Sequence, residues 1–98
     1  MNLEQIKAVY FVGIGGIGMS AIARYFISRG VVVAGYDKTR TELTEQLCKE
    51  GAQVHYEDNV ELIPVQCRDK ENTLVVFTPA IPSDHCELTF FREQDFVI

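Results

Sequence analysis

No run of about 18 apolar residues occurs in the chain, so no segment reads as a membrane-crossing helix. The opening residues, Met1-Asn2-Leu3-Glu4-Gln5, lack the basic and apolar regions of a secretory signal, which points to a cytoplasmic protein that does not engage a membrane. Positive charge is also scarce. Nine Lys and Arg stand against fourteen Asp and Glu, a net charge of −5. A nucleic-acid surface needs the opposite balance, so no nucleic-acid partner is expected. Cys48, Cys67 and Cys86 are odd in number, widely spaced and without a C-x-x-C pair. They read as small reduced thiols in or near the core. His55 and His85 stand at no metal-ligand spacing from them, and no metal site is expected. Also missing is G-x-x-x-x-G-K-[ST], the loop and lysine that hold a nucleoside triphosphate.

What is present suits one folded domain. The 98 residues are 47% hydrophobic and 23% charged, enough for a single core. The most informative stretch is Val9-Tyr10-Phe11-Val12-Gly13-Ile14-Gly15-Gly16-Ile17-Gly18-Met19-Ser20. Strand-forming residues enter a glycine turn, and a helix-forming run leaves it. The spacing G-x-G-x-x-G falls at 13, 15 and 18, with one more glycine at 16. In a strand–turn–helix phosphate site Gly13 would allow the sharp turn and Gly15 the close approach of a diphosphate. Gly18 would let the helix pack against its strand. The helix N-terminus then offers unpaired N–H groups and a positive dipole end to an anion. The same glycines can also serve a turn that binds nothing.

Asp37 lies 19 positions beyond Gly18, after the apolar run Val31-Val32-Val33-Ala34-Gly35-Tyr36. A carboxylate there can reach a ribose hydroxyl, or cap the turn that follows. Ser20 can bond a phosphate oxygen or return its hydroxyl to the helix backbone.

Periodicity places the first strand at about Ala8 to Val12 and a helix from Ile17 to Ser28, ended by Gly30. Ile17, Ala21, Ile22, Tyr25 and Phe26 read as its inner face. Met19, Ala23 and Ile27 extend the apolar surface and imply cover on more than one side. Thr39-Arg40-Thr41-Glu42 fits a capping box with Thr39 as N-cap, opening a helix with Leu43 and Leu47 inside and Gly51 at its close. Gln53 to Tyr56 reads as an edge strand. Glu57 to Asn72 reads as an acidic, solvated loop with one helical turn around Val60 to Ile63. Thr73 to Phe77 is the next buried strand, and Thr78-Pro79-Ala80-Ile81-Pro82 leaves it as a rigid loop. Ser83 or Asp84 is expected to cap a last helix running to about Glu93, with Leu88 and Phe91 inside. Asp95-Phe96-Val97-Ile98 begins another apolar strand as the chain stops, which points to a piece of a longer protein.

The alternation of strands and helices, without hairpin signals, predicts an α/β fold: a Rossmann-like open parallel sheet of about five strands with helices on both faces. Ligands of such sheets bind at the carboxyl ends of the strands. The glycine turn, Asp37 and Thr78-Pro79-Ala80 all sit there.

The stretch Tyr10 to Ser20 resembles the opening of the Mur ligases, the bacterial UDP-N-acetylmuramate–L-alanine ligases in particular. Its double glycine followed by Ile-Gly-Met-Ser is more specific than a general dinucleotide pattern. Gly35-Tyr36-Asp37 resembles the family's Gly-Ser-Asp, and Phe77-Thr78-Pro79-Ala80-Ile81-Pro82 its Ser-(Ser/Pro)-Ala-Ile loop. Glu87-Leu88 stands where the family has Asn-Pro-Glu. Tyr36 replaces the usual serine and His85-Cys86 the usual Asn-Pro. The likeness is strong over the first 37 residues and loose from 51 to 72.

The resemblance implies residues 1–98 as the first, UDP-sugar-binding domain of a three-domain ligase. Its substrate-binding residues would be Gly15, Gly16, Ile17, Gly18, Met19, Ser20, Asp37, Thr78, Pro79, Ala80 and Ile81. ATP, Mg and L-alanine would be held by the other domains. There the lactyl carboxylate of UDP-N-acetylmuramate is activated as an acyl phosphate and captured by the amine of L-alanine, a step of peptidoglycan precursor synthesis. The 98 residues would bind and not catalyse. A rival reading is the NAD(P)-binding domain of a dehydrogenase or ligand-sensing regulator, which shares the glycines and the acid. Another is an interaction domain whose glycine turn is purely structural. Pro79 and Pro82 around Ala80-Ile81 fit the ligase better.

Overall fold

Ala8–Val12 forms the central strand, β1, and all five of its residues are buried. A computed structural model describes residues 2–98 of the chain. A strand with no exposed face needs neighbours on both edges and cover on both sides. β2 (Val32–Tyr36) and β4 (Thr73–Phe77) pair with it in parallel, and β3 (Gln53–His55) lies outside β2. The order is β3-β2-β1-β4. Val12 is level with both Tyr36 and Phe77, so three strands end together. The chain winds outward from β1 to β3 and then crosses back to place β4 on the other side. The direction of winding reverses between β1 and β4, where a crevice opens at the strand ends.

The sheet has four strands where about five were expected. The fifth position is marked by one parallel bridge from Leu74 to Val97, in which the Val75 amide donates to the Val97 carbonyl at 2.9 Å. Asp95 turns with φ +61°, and only Val97 and Ile98 follow Phe96, too little chain for a ladder.

Helices cover both faces, as the alternation implied. Val9, Phe11 and Val33 pack under α1 (Met19–Ser28) and α2 (Glu42–Lys49) through Met19, Ala23, Phe26 and Leu47. Tyr10, Ala34 and Val75 point the other way, toward Phe91 of α3 (Cys86–Glu93), Phe96 and Cys67. No helix among the described residues is long and apolar enough to cross a membrane.

Three helix readings need correction. α1 begins at Met19, and it buries one side only. Ile17, Ala21, Ile22 and Tyr25 are exposed, Ile17 completely, while Met19, Ala23 and Phe26 face inward. Both stripes are apolar at helical spacing. Gly18, at φ +82°, ends the turn before Met19 and fixes which stripe meets the sheet.

α2 is capped by Thr41, not Thr39. The Thr41 hydroxyl accepts from the Thr44 amide at 3.1 Å, and the Thr44 hydroxyl accepts from the Thr41 amide at 2.9 Å. Thr39 is held in the preceding turn, its amide donating to Asp37 at 3.0 Å.

α3 is capped by His85, not Ser83 or Asp84, with help from a distant residue. Asp58 accepts from the amides of Cys86 and Glu87 at 2.8 and 3.0 Å. The acidic stretch 57–72 is thus not all solvated surface. It holds two turns of 3-10 helix, Val60–Leu62 and Val65–Cys67, and sends Ile63 and Cys67 into the core. Of the three thiols only Cys67 is buried, and burial pushes it up to about 11.

Gly35 supplies the close packing expected of Gly18. A Cβ at Gly18 would have nothing within 4 Å, whereas at Gly35 it would meet the Phe11 carbonyl oxygen at 2.7 Å and Ile14 Cβ at 3.0 Å. Gly35→Ala is therefore expected to cost about 1–3 kcal/mol by overpacking. The urea midpoint should fall accordingly with an unchanged slope, and an unchanged midpoint would refute the close approach.

Candidate nucleotide-binding crevice

The turn after β1 is closed by backbone bonds. The amides of Gly13 and Ile14 donate to the Tyr36 carbonyl at 2.7 and 2.9 Å, and the Gly16 amide donates to Gly13 at 2.9 Å. Gly13 takes φ +96°, the sharp exit from the strand that the sequence predicted. The Met19 amide donates to the Gly16 carbonyl at 3.1 Å. Between these anchors the amides of Ile17 and Gly18 have no protein acceptor among the described residues. They lie at the N-terminal end of α1, where a helix attracts anions.

Asp37 binds this turn to the end of β2. Its Oδ2 accepts the Gly15 amide at 2.8 Å and its Oδ1 the Thr39 amide at 3.0 Å. The carboxylate thus takes the capping role open to it, and spare lone pairs remain on both oxygens. Gly15 has an ordinary φ, and what restricts it is space. A Cβ there would meet Asp37 Oδ2 at 2.8 Å and Thr44 Cγ2 at 3.0 Å. Its neighbours are protein side chains, so it packs the turn against β2 and α2 rather than leaving room for a diphosphate.

On the other side, the Thr78 amide donates to the Val12 carbonyl at 3.3 Å, and the Thr78 hydroxyl accepts from Ala80 at 3.2 Å. Thr78 Cγ2 lies 3.0 Å from where a Cβ of Gly16 would be. The crevice between the glycine turn and the Thr78 loop encloses about 370 Å³, a size usual for small-molecule sites.

Of the residues expected to bind substrate, Gly16, Asp37, Thr78, Ala80 and Ile81 line the crevice. Gly15 stands behind Asp37. Ile17 and Gly18 stand outside the lining, at the start of α1, with the Ile17 side chain in solvent. Met19 is a core residue, Ser20 sits half-buried in the first turn of α1, and Pro79 is exposed outside the lining.

The crevice also includes Tyr36, Lys38, Asp58 and His85. Tyr36 follows directly from its place beside Asp37. Lys38 needed only the observation that it follows the strand-end acid. Asp58 carried no sequence signal, because an acid in an acidic stretch reads as surface, and His85 was marked only as a departure from the family's Asn-Pro. Tyr36 and His85 meet edge to face, with centroids 4.6 Å apart. Burial raises the Tyr36 phenol, and Asp58, Asp37 and Glu87 add to the effect, so it stays a hydroxyl. The two acids lining the crevice are already engaged by backbone amides, which lowers the repulsion an anion would meet there.

The model of the Mur ligase family, catalytic domain, matches residues 8–98. The chain belongs to the Mur ligase family. It is 56% identical over 98 residues to a UDP-N-acetylmuramate–L-alanine ligase of Parabacteroides distasonis, covering 100% of this chain and 21% of that one. A ligase of the same name from Flavobacterium johnsoniae is 55% identical, covering 100% of this chain and 22% of its own. The crystal structure of a UDP-N-acetylmuramate–alanine ligase from Thermotoga maritima superposes with a TM-score of 0.80 at 34% identity, covering 93% of this chain and 20% of that one. The chain thus spans about a fifth of the length of these Mur ligases.

The crowding of Gly15 against Asp37 can be measured. Gly15→Ala is expected to destabilise by about 1–3 kcal/mol. In an Asp37→Ala background the same change should cost about 1 kcal/mol less, a coupling that a double-mutant cycle resolves. Additive effects would mean that the two residues do not touch.

Proposed function

We propose that the chain is the UDP-sugar-binding domain of a longer Mur ligase, with UDP-N-acetylmuramate as its ligand. The observation that carries this is the crevice at the switch point, lined by Gly13 and Gly16 of the glycine turn on one side and by Tyr36 and His85 on the other, with the unpaired Ile17 and Gly18 amides next along the turn. Amides at a helix start suit a diphosphate, and aromatic edges suit a base or ribose. Family membership favours the UDP-sugar over a nicotinamide dinucleotide. Gly16, Ile17 and Gly18 are assigned to the diphosphate, and Asp37, Thr78, Ala80 and Ile81 to the rest of the ligand. Ser20 stands ready for a phosphate oxygen, while Gly15, Met19 and Pro79 shape the site from behind.

The whole enzyme would join L-alanine to UDP-N-acetylmuramate with ATP and Mg, as its relatives' name and family imply. These 98 residues do not fit ATP or Mg. The sequence has no triphosphate-binding G-x-x-x-x-G-K-[ST], and no group of three or more His, Cys, Asp or Glu among the described residues could hold a metal ion. Those roles are assigned to residues beyond this stretch.

The test is calorimetric titration of the chain with UDP-N-acetylmuramate, NAD and NADP. The UDP-sugar should bind at least about tenfold more tightly than either dinucleotide. Gly16→Val, which closes the gap to Thr78, should weaken it by about tenfold or more. Preference for NAD, or full affinity in the Gly16 variant, would overturn the assignment.

A further inference from the structure

Glu87 on α3 is fully buried, at 0% exposure. A carboxylate removed from water is costly unless its lone pairs meet donors. Glu87 has three. The Tyr10 hydroxyl donates to Oε1 at 2.5 Å, His55 Nε2 lies 2.6 Å from Oε2, and the Asn59 amide donates to Oε2 at 3.1 Å. The donors come from β1, the end of β3 and the loop beyond it, so one side chain gathers three segments. Proton placement follows. The Tyr10 proton points at Glu87, which leaves the phenol oxygen to accept from His55 Nε2 at 3.1 Å. Both His55 contacts therefore need a proton on Nε2. Burial, then the adjacent Glu87, raises Tyr10 far above the ordinary phenol range, so it remains a donor.

The same helix start is fastened a second time. Asp58 takes the amides of Cys86 and Glu87, and its Oδ1 lies 3.2 Å from His85 Nδ1. The loop 58–59 and the start of α3 are thus locked in both directions, by Glu87 holding Asn59 and by Asp58 holding α3. Asp58, His85 and Tyr36 form one wall of the crevice. Tyr36 lies between the two histidines, 6.2 Å from His55 and 4.6 Å from His85, centroid to centroid. None of these side-chain contacts touches the glycine turn, which meets the wall through the Tyr36 carbonyl.

We propose that Glu87, with Tyr10 and His55, is a positioning residue that sets the Tyr36–Asp58–His85 wall and thereby the affinity for the nucleoside part of the ligand. The glycine turn is fixed through Asp37 and the Tyr36 backbone carbonyl, and by no side chain of this network. The network is buried behind the wall and acts through its neighbours. The inference rests on the UDP-sugar reading of the crevice.

The test compares UDP with inorganic pyrophosphate, which needs only the glycine turn. Amide shifts of the 98-residue chain would follow Glu87→Gln, His55→Leu and His55→Gln, the last restoring an N–H at about the reach of Nε2. Glu87→Gln and His55→Leu should each weaken UDP about tenfold while leaving pyrophosphate within about twofold, and His55→Gln should stay within about threefold of the parent. Parental UDP affinity in folded Glu87→Gln and His55→Leu would overturn the proposal. So would an equal loss for pyrophosphate, which would mean general loosening. If Glu87→Gln does not fold, the contrast between the two His55 variants decides. Failure of the parent to bind UDP would overturn the functional reading first, and this inference with it.

Discussion

The hydrogen bond from the Gly15 amide to Asp37, 2.8 Å long, is the constraint on which the site depends. It joins the turn after β1 to the end of β2, and two further amides of that turn donate to the Tyr36 carbonyl. With Gly13, Ile14 and Gly15 engaged in this way, the turn cannot collapse into the crevice. The amides of Ile17 and Gly18 remain among the available donors. The binding surface is therefore built by using up the neighbouring backbone groups within the protein. Close fit enforces the arrangement, since neither Gly15 nor Gly35 has room for a Cβ.

The opposite wall is held by different physics. There the fixed element is a buried carboxylate, Glu87, matched by a phenol, an imidazole and an amide. Removing one partner from such a group leaves a charge or a donor stranded, which costs more than an ordinary contact is worth. One rim of the crevice thus rests on steric fit and the other on satisfied charge. The two rims meet at the backbone of Tyr36, whose carbonyl takes the Gly13 and Ile14 amides, while their side-chain networks are separate among those described.

The frame of the fold was legible in the residues. β1 and β4 lie at the limits their apolar runs implied, and β3 is the edge strand, because continuous burial leaves a continuous apolar signature. The face of α1 was not legible, since Ile17, Ala21 and Ile22 make as good a stripe as Met19, Ala23 and Phe26. Only the left-handed turn at Gly18 distinguishes them. Gly15, Gly18 and Gly35 show the same limit: a glycine's reason lies in what surrounds it. Asp58 was the least legible, and the likeness that set Glu87 at the family's Asn-Pro-Glu gave it no role. Their partners Tyr10, His55, Cys86 and His85 are 77, 32, 28 and 27 positions away, so no local pattern marks them. Of the site, the half built by the glycine turn could be read, and the half built by long-range side chains could not.

The most direct measurement is a crystal structure of the chain bound to UDP-N-acetylmuramate. The account predicts diphosphate oxygens within about 3 Å of the Ile17 and Gly18 amides, with the nucleoside lying toward Tyr36 and His85. A ligand bound outside the crevice, or a diphosphate making no contact with those amides, would contradict it.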